Sequence, residues 1–157
     1  MVVLVREMTH NECIATIADQ RLARLACAKD NIPYVIPIYY AYSGNRIYVF
    51  AMPGKKLDYL RSNPHVCLQI DKYRDKHNWV SIVVDAAFQE LPDDEQYHDE
   101  RLHAWELLAH YFDWWEAGAI KTHHQPVRGS SPHVFFALDI IAVSGIEATE
   151  GEHVVSY

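Results

Sequence analysis

Short runs of β-branched and aromatic residues, separated by tight turn signals, constrain this chain more than any other feature of its sequence. Arg21 to Ala28 reads as a strand, Lys29-Asp30-Asn31 as a turn, and Pro33 to Tyr42, rich in Tyr, Ile and Val, as a second strand. Ser43-Gly44-Asn45 is a hairpin turn into a third strand, Arg46 to Ala51. Val66 to Asp71, Trp79 to Leu91 and Val134 to Val143 complete six strands, with Lys72 to His77 and Pro126 to Pro132 as polar loops. Pro33 and Pro37 mark the second strand as an edge or a bulged strand, because proline cannot donate to a ladder.

Three helices interrupt the strands. Thr9-His10-Asn11-Glu12 is a capping box that opens a helix with Cys13, Ile14, Ile17 and Ala18 on one apolar face. Lys55 to Ser62 is a short helix with Leu57 and Leu60 facing inward, ended by Asn63-Pro64. Pro92-Asp93-Asp94 starts a longer one, with an apolar stripe of Leu102, Trp105, Leu108, Ala109 and Phe112. The strands do not alternate with helices, which excludes a doubly wound sheet. The expected fold is mainly β, a six-stranded antiparallel barrel with peripheral helices, in one domain spanning residues 1–157.

Composition narrows the function. The net charge of -7 argues against general nucleic-acid binding, which needs a basic surface. Eight acidic residues and Arg101, all between residues 85 and 106, account for that whole charge, and the segment reads as a solvated face. No apolar run reaches membrane-spanning length, and Val2-Val3-Leu4-Val5 lacks the length and flanks of a signal peptide, so a cytoplasmic protein is expected. Cys13, Cys27 and Cys67 are odd in number and contain no CxxC pair, which points to free thiols. The ten histidines form no metal motif: His103 and His110 lie two turns apart, and His123-His124 are adjacent. No metal site is expected. Trp105, Trp114 and Trp115 read as core or dimer contacts.

Three segments can carry chemistry. Pro53-Gly54-Lys55-Lys56 places a glycine and two lysines at a helix start, where free N–H groups and the helix dipole favour a phosphate. Alone, so short a motif is commonly a solvated surface. Tyr34-Val35-Ile36-Pro37-Ile38-Tyr39 is a flat apolar strand that suits either an aromatic ring system or a core. In Trp79-Val80-Ser81, alternation puts Trp79 and Ser81 on one face, where the hydroxyl can bond a ligand or a backbone group.

In order and spacing, these pieces resemble the pyridoxamine 5'-phosphate oxidase-like family of FMN-binding split barrels. The resemblance runs from Arg21-Leu22-Ala23 through Pro33 to Ile38, Ile47 to Phe50, Pro53 to Leu57, Leu60 to Pro64, Val66 to Asp71 and Trp79 to Val84, and closes at Glu90-Leu91. It implies an FMN-binding flavoprotein that acts as an oxidoreductase on a small molecule, and a homodimer with FMN at the subunit interface. By the same resemblance, Tyr34 to Tyr39 lie against the flavin ring and Phe50 and Ala51 touch the ring or ribityl chain. Lys55 and Lys56 hold the phosphate, and Trp79 and Ser81 approach from a neighbouring strand. The alternatives are a non-catalytic flavin- or haem-binding module and a flavin-free dimeric barrel that binds proteins. Ala51 stands where the family commonly has Ser or His, and Ala86-Ala87 where it commonly has Gly-Arg. The true oxidase's C-terminal signature is not found after Val134, which argues against pyridoxamine phosphate as substrate. No side chain is singled out as a general acid or base.

Overall fold

The structure is a computed structural model that describes residues 2–110 and 133–151. Its strands are β1 (Val2–Glu7), β2 (Leu22–Lys29), β3 (Ile32–Tyr39), β4 (Ala41–Ser43), β5 (Arg46–Ala51), β6 (His65–Asp75), β7 (Asn78–Leu91) and β8 (Val134–Gly151). Its helices are α1 (His10–Asp19), α2 (Lys55–Ser62) and α3 (His98–Ala109). The eight strands form one antiparallel sheet in the order β3-β2-β6-β7-β8-β5-β4, with β1 added on β8. The mainly β architecture with peripheral helices is the expected one.

β3 and β4 are consecutive in the chain, separated by Tyr40 alone, yet they stand at opposite ends of the hydrogen-bonded order. One residue can join the two ends only if the sheet rolls round until they meet. The result is a barrel split at that junction. Tyr40 is buried there; its amide donates to the Arg21 carbonyl at 2.9 Å and its hydroxyl to the Ile17 carbonyl at 2.7 Å. Burial pushes the phenol far above its ordinary pKa, which keeps it a neutral donor.

The barrel interior follows the alternation of the strands. Leu25, Leu68 and Val84 face inward on one rung, and Ile82, Ile47 and Val49 face inward from their own strands. α1 contributes Cys13 and Ile17, and α2 contributes Leu57 and Leu60, as the helical patterns predict. Thr9 caps α1 as expected: its hydroxyl accepts from the Glu12 amide at 3.2 Å. The outward face of β7, β8 and β5 is covered by α3, which packs Ala104 and Leu108 against Tyr48, Leu91, Phe135 and Ala137.

Several boundaries differ from the sequence reading. The expected strand Pro33 to Tyr42 is broken at the barrel junction, and Val2 to Glu7 forms an extra strand, so the six strands become eight. β6 continues through Lys72 to Asp75, and β8 runs on to Gly151, because each finds a partner in β7 or β1 despite polar side chains. The third helix starts at His98, after a single 3-10 turn at Glu95–Tyr97. Its buried side includes Arg101, whose guanidinium lies over the Phe135 ring and donates to the Leu91 carbonyl at 2.7 Å. Ala109, expected to face inward, is exposed. Phe112, Trp114, Trp115, His123, His124 and the loop at 126–132 lie outside the described residues.

The acidic segment 85–106 is not simply a solvated face. Arg46 on β5 bonds Glu100 of α3 and Gln89 of β7, and lies 2.5 Å from Asp139 of β8. These bonds, led by that to Asp139, hold the Arg46 guanidinium firmly protonated. The Tyr48 hydroxyl also donates to Glu100, at 3.0 Å. Arg61 of α2 grips Glu90 with two bonds of 3.1 and 2.6 Å.

Gly145 of β8 shows how tightly α1 is seated. A Cβ there would lie 2.8 Å from both the Cys13 and the Met8 sulfur atoms. Gly145→Ala is therefore expected to cost about 1–3 kcal/mol in urea unfolding. Adding Cys13→Ala should recover part of the loss; strict additivity of the two changes would show that this contact is not the cause.

Candidate functional site

The start of α2 is built by its sequence. Gly54 caps the helix with φ 164° and ψ -163° and offers no side-chain bond to the first turn. The first backbone bond in the helix runs from the Asp58 amide to the Gly54 carbonyl at 3.2 Å. The amides of the first turn precede that bond, so they have no partner within the helix. Leu57 and Leu60 anchor the helix on the barrel, which leaves Lys55 exposed and Lys56 half-buried at its start.

This helix start meets β3. The Lys55 ammonium lies 4.4 Å from the centre of the Tyr34 ring and 5.6 Å from that of Tyr59. The two rings are 5.4 Å apart and tilted by 54°. Tyr34 is paired with Cys27 of β2, whose thiol points to the Tyr34 carbonyl at 3.8 Å. Burial pushes the Cys27 thiol pKa up, and the charges of Lys55 and Lys56 pull it back down. Both lysines thus act on the same end of the β2–β3 hairpin.

Among the described residues β3 pairs only with β2 and is the edge of the sheet, the first of the two options, edge or bulge, that its prolines offered. Val35, Pro37 and Tyr39 point outward, with Val35 and Pro37 exposed; Ile38 is buried in the core and Ile36 packs against it. An edge strand tolerates prolines on its unpaired side. The alternation then leaves the backbone of Val35, between Pro33 and Pro37, on that open side as well.

Phe50 and Ala51 part company. Ala51 is buried in the barrel core, whereas Phe50 faces outward among Trp105, His133 and Phe135, with ring centres 5.7, 5.3 and 5.7 Å away. Trp79 and Ser81 share the outward face of β7 as expected, while Ile82 is buried. The Ser81 hydroxyl accepts from the Gln69 amide at 3.1 Å. Gln69 also reaches Asp71 at 3.4 Å, and Asp71 binds Arg24 at 3.1 Å. A polar chain thus crosses the outward face of β2, β6 and β7.

The structure therefore brings Tyr34, Lys55 and Lys56 together beside the open edge of β3. It does not bring Ser81 to them. The rung Pro37–Arg24–Gln69–Val83 shows that β3 and β7 share a face but are separated by β2 and β6. At strand spacing that is about 14 Å. Tyr59 is the site residue that the sequence reading missed. Its only signal is its position four residues after Lys55, one helical turn along the same side.

Among the described residues, no group of His, Cys, Asp and Glu could hold a metal ion, and no helix is long and apolar enough to cross a membrane.

His133 beside Phe50 makes the aromatic cluster pH-sensitive. Burial lowers its pKa below the ordinary histidine value. The unfolded chain therefore takes up this proton more readily, so stability is full above the unfolded pKa and is lost as pH falls through the folded one. Urea unfolding between pH 7 and pH 5 should show the native protein losing more stability than His133→Asn; parallel losses would exclude His133 as the cause.

Comparison with known proteins places these features in context. The profile of the pyridoxamine 5'-phosphate oxidase family matches residues 9–145. An uncharacterized protein of Rhizobium meliloti (strain 1021) is 47% identical over 148 residues, covering 94% of this chain and 98% of that protein. The crystal structure of a FAD-binding protein from Mesorhizobium loti is 46% identical, with a TM-score of 0.79 over 93% of this chain and 99% of the other. The FAD-binding protein from Mycobacterium smegmatis shares the fold at 18% identity, with a TM-score of 0.62 over 89% of this chain and 97% of the other.

Proposed function

The chain belongs to the pyridoxamine 5'-phosphate oxidase-like family, and from that premise we propose that it is an FMN-binding flavoprotein acting as an oxidoreductase on a small molecule. The observation that carries this reading is the meeting of Lys55, Lys56 and the uncapped α2 start with Tyr34 and the open edge of β3. The helix start and the two ammonium groups fit a phosphate. The outward side chains of β3 fit the flat face of a flavin, and the unpaired backbone beside Val35 fits its polar edge. When bound, the flavin supplies the electron chemistry; the protein binds it, orients it and excludes water.

The name of the Mesorhizobium loti relative favours FAD as a second reading. A diphosphate would engage the same lysines, so the two nucleotides are separated by measurement. FMN and FAD are titrated into the purified protein and the visible spectrum recorded. Tighter binding of FMN is expected; tighter binding of FAD would replace FMN as the cofactor, and no spectral change with either would end the flavin reading. Lys55→Ala with Lys56→Ala should weaken FMN by at least tenfold while leaving riboflavin little changed, since only FMN carries the phosphate. Equal loss for both would remove the lysines from the phosphate site.

The homodimer is part of this proposal. Ser81 lies about 14 Å from β3 within one chain, so a flavin held by both groups draws Ser81 from the second copy. The outward face of the barrel exposes Val35 on β3, Val83 on β7 and Ile146 beside Ser81 on β8, which a subunit interface would cover.

A further inference from the structure

Like Arg101 on the Phe135 ring, Lys55 is set against aromatic faces, unlike the cations held in ion pairs. Arg6, Arg24, Arg46, Arg61 and Lys72 each contact a carboxylate. Lys55 contacts two aromatic rings, and no carboxylate pairs with it among the described residues. An aromatic face attracts an ammonium through its quadrupole and does not cancel the charge. A carboxylate partner would hold the lysine equally well but would neutralise it and repel an incoming phosphate. Rings are therefore the partners that suit a lysine whose task is to meet an anion.

The two rings come from different elements and brace each other. Tyr34 is on the sheet edge and Tyr59 is on α2, four residues after Lys55. Tyr59 is only 8% exposed and packs with the barrel core, so its ring is held from behind. Tyr34 is half-buried and packs against the same core. Their tilted contact at 5.4 Å is within the preferred range for an aromatic pair. The long lysine side chain would otherwise sample many rotamers, and ordering it on binding would cost affinity.

Resting on the reading of the α2 start as a flavin phosphate site, we propose that Tyr59 is a positioning residue. With Tyr34 it forms an aromatic seat that holds the Lys55 ammonium beside the helix start, and so favours phosphorylated flavin over riboflavin.

The test compares dissociation constants for FMN and riboflavin, measured by flavin fluorescence, in the native protein, Tyr59→Leu, Tyr59→Phe, Lys55→Met and the Tyr59→Leu/Lys55→Met pair. Tyr59→Leu should weaken FMN about two- to fivefold, the size of an exposed cation–π contact, and leave riboflavin unchanged. Tyr59→Phe keeps a ring face and should stay near native. On the Lys55→Met background, Tyr59→Leu should have no further effect on FMN. Equal weakening of both ligands by Tyr59→Leu, or an undiminished effect without Lys55, would overturn the seat while leaving the phosphate site intact. Binding of neither flavin by the native protein, or a preference for FMN that Lys55→Met leaves undiminished, would overturn the role of Lys55 in the phosphate site and the seat with it. Tyr59→Leu can unfold so buried a site, so the native protein supplies a second measurement. The Lys55 ε-methylene protons should resonate upfield by ring current in the NMR spectrum; unshifted protons would refute the seat without any substitution.

Discussion

One residue, Tyr40, closes the barrel. β3 ends at Tyr39 and β4 begins at Ala41, while seven strands of hydrogen-bonded order lie between and including them. A flat sheet would hold those ends several strand spacings apart, about 29 Å at ordinary spacing. The chain cannot span that distance in one residue. Coiling is thus imposed by connectivity, and the buried Tyr40 side chain fixes it by bonding α1 through Ile17. The same closure leaves β3 without a second partner among the described residues. The open edge of the candidate site therefore follows from how the barrel is closed.

The two outward faces of the sheet are treated in opposite ways. α3 covers β5, β8 and the end of β7, and it is fastened by charge as much as by apolar contact. Arg46 joins Glu100, Gln89 and Asp139, and Arg101 is buried against Phe135. Bonds of this kind satisfy groups that would be costly to bury alone, and they fix how the helix sits. Among the described residues, no helix covers the outward face formed by β3, β2, β6 and β7. That face presents Val35 and Val83 beside the polar chain from Arg24 to Ser81. A mixture of exposed apolar side chains and ordered polar ones suits a surface that meets another molecule.

The parts of this fold that were legible in the sequence are those set by local pattern. Alternation located most strands, turn residues located the hairpins, and Pro33 with Pro37 marked their strand as an edge or a bulged one. The parts that were not legible depend on remote partners. β1 is apolar on both sides and reads as neither an amphipathic strand nor a helix; only its pairing with residues 146–151 makes it a strand. Those residues of β8 include Glu147, Glu150 and Gly151 and carry little strand signal. Arg101 breaks the apolar stripe of α3, so hydropathy could not reveal that it is buried. At the candidate site, Gly54, Lys55 and Lys56 were legible because they are contiguous. Tyr59 was not, because its meaning comes from Tyr34, 25 positions earlier in the chain.

How a chain of net charge -7 can attract an anion is then a question of pairing rather than of totals. Glu12, Asp19, Asp71, Glu90, Glu100, Asp139 and Glu147 are each within an ion pair. Their fields fall away quickly because a cation lies beside each, and salt screens what remains beyond about 10 Å. At the α2 start the balance is reversed. Lys55 is held by rings that leave its charge whole, and the amides of the first helical turn add a partial positive charge. Asp58 is the acidic residue in that turn and is exposed to water, where its charge is most strongly damped. Over the few ångströms around the α2 start, the local sign is positive although the molecule as a whole is acidic.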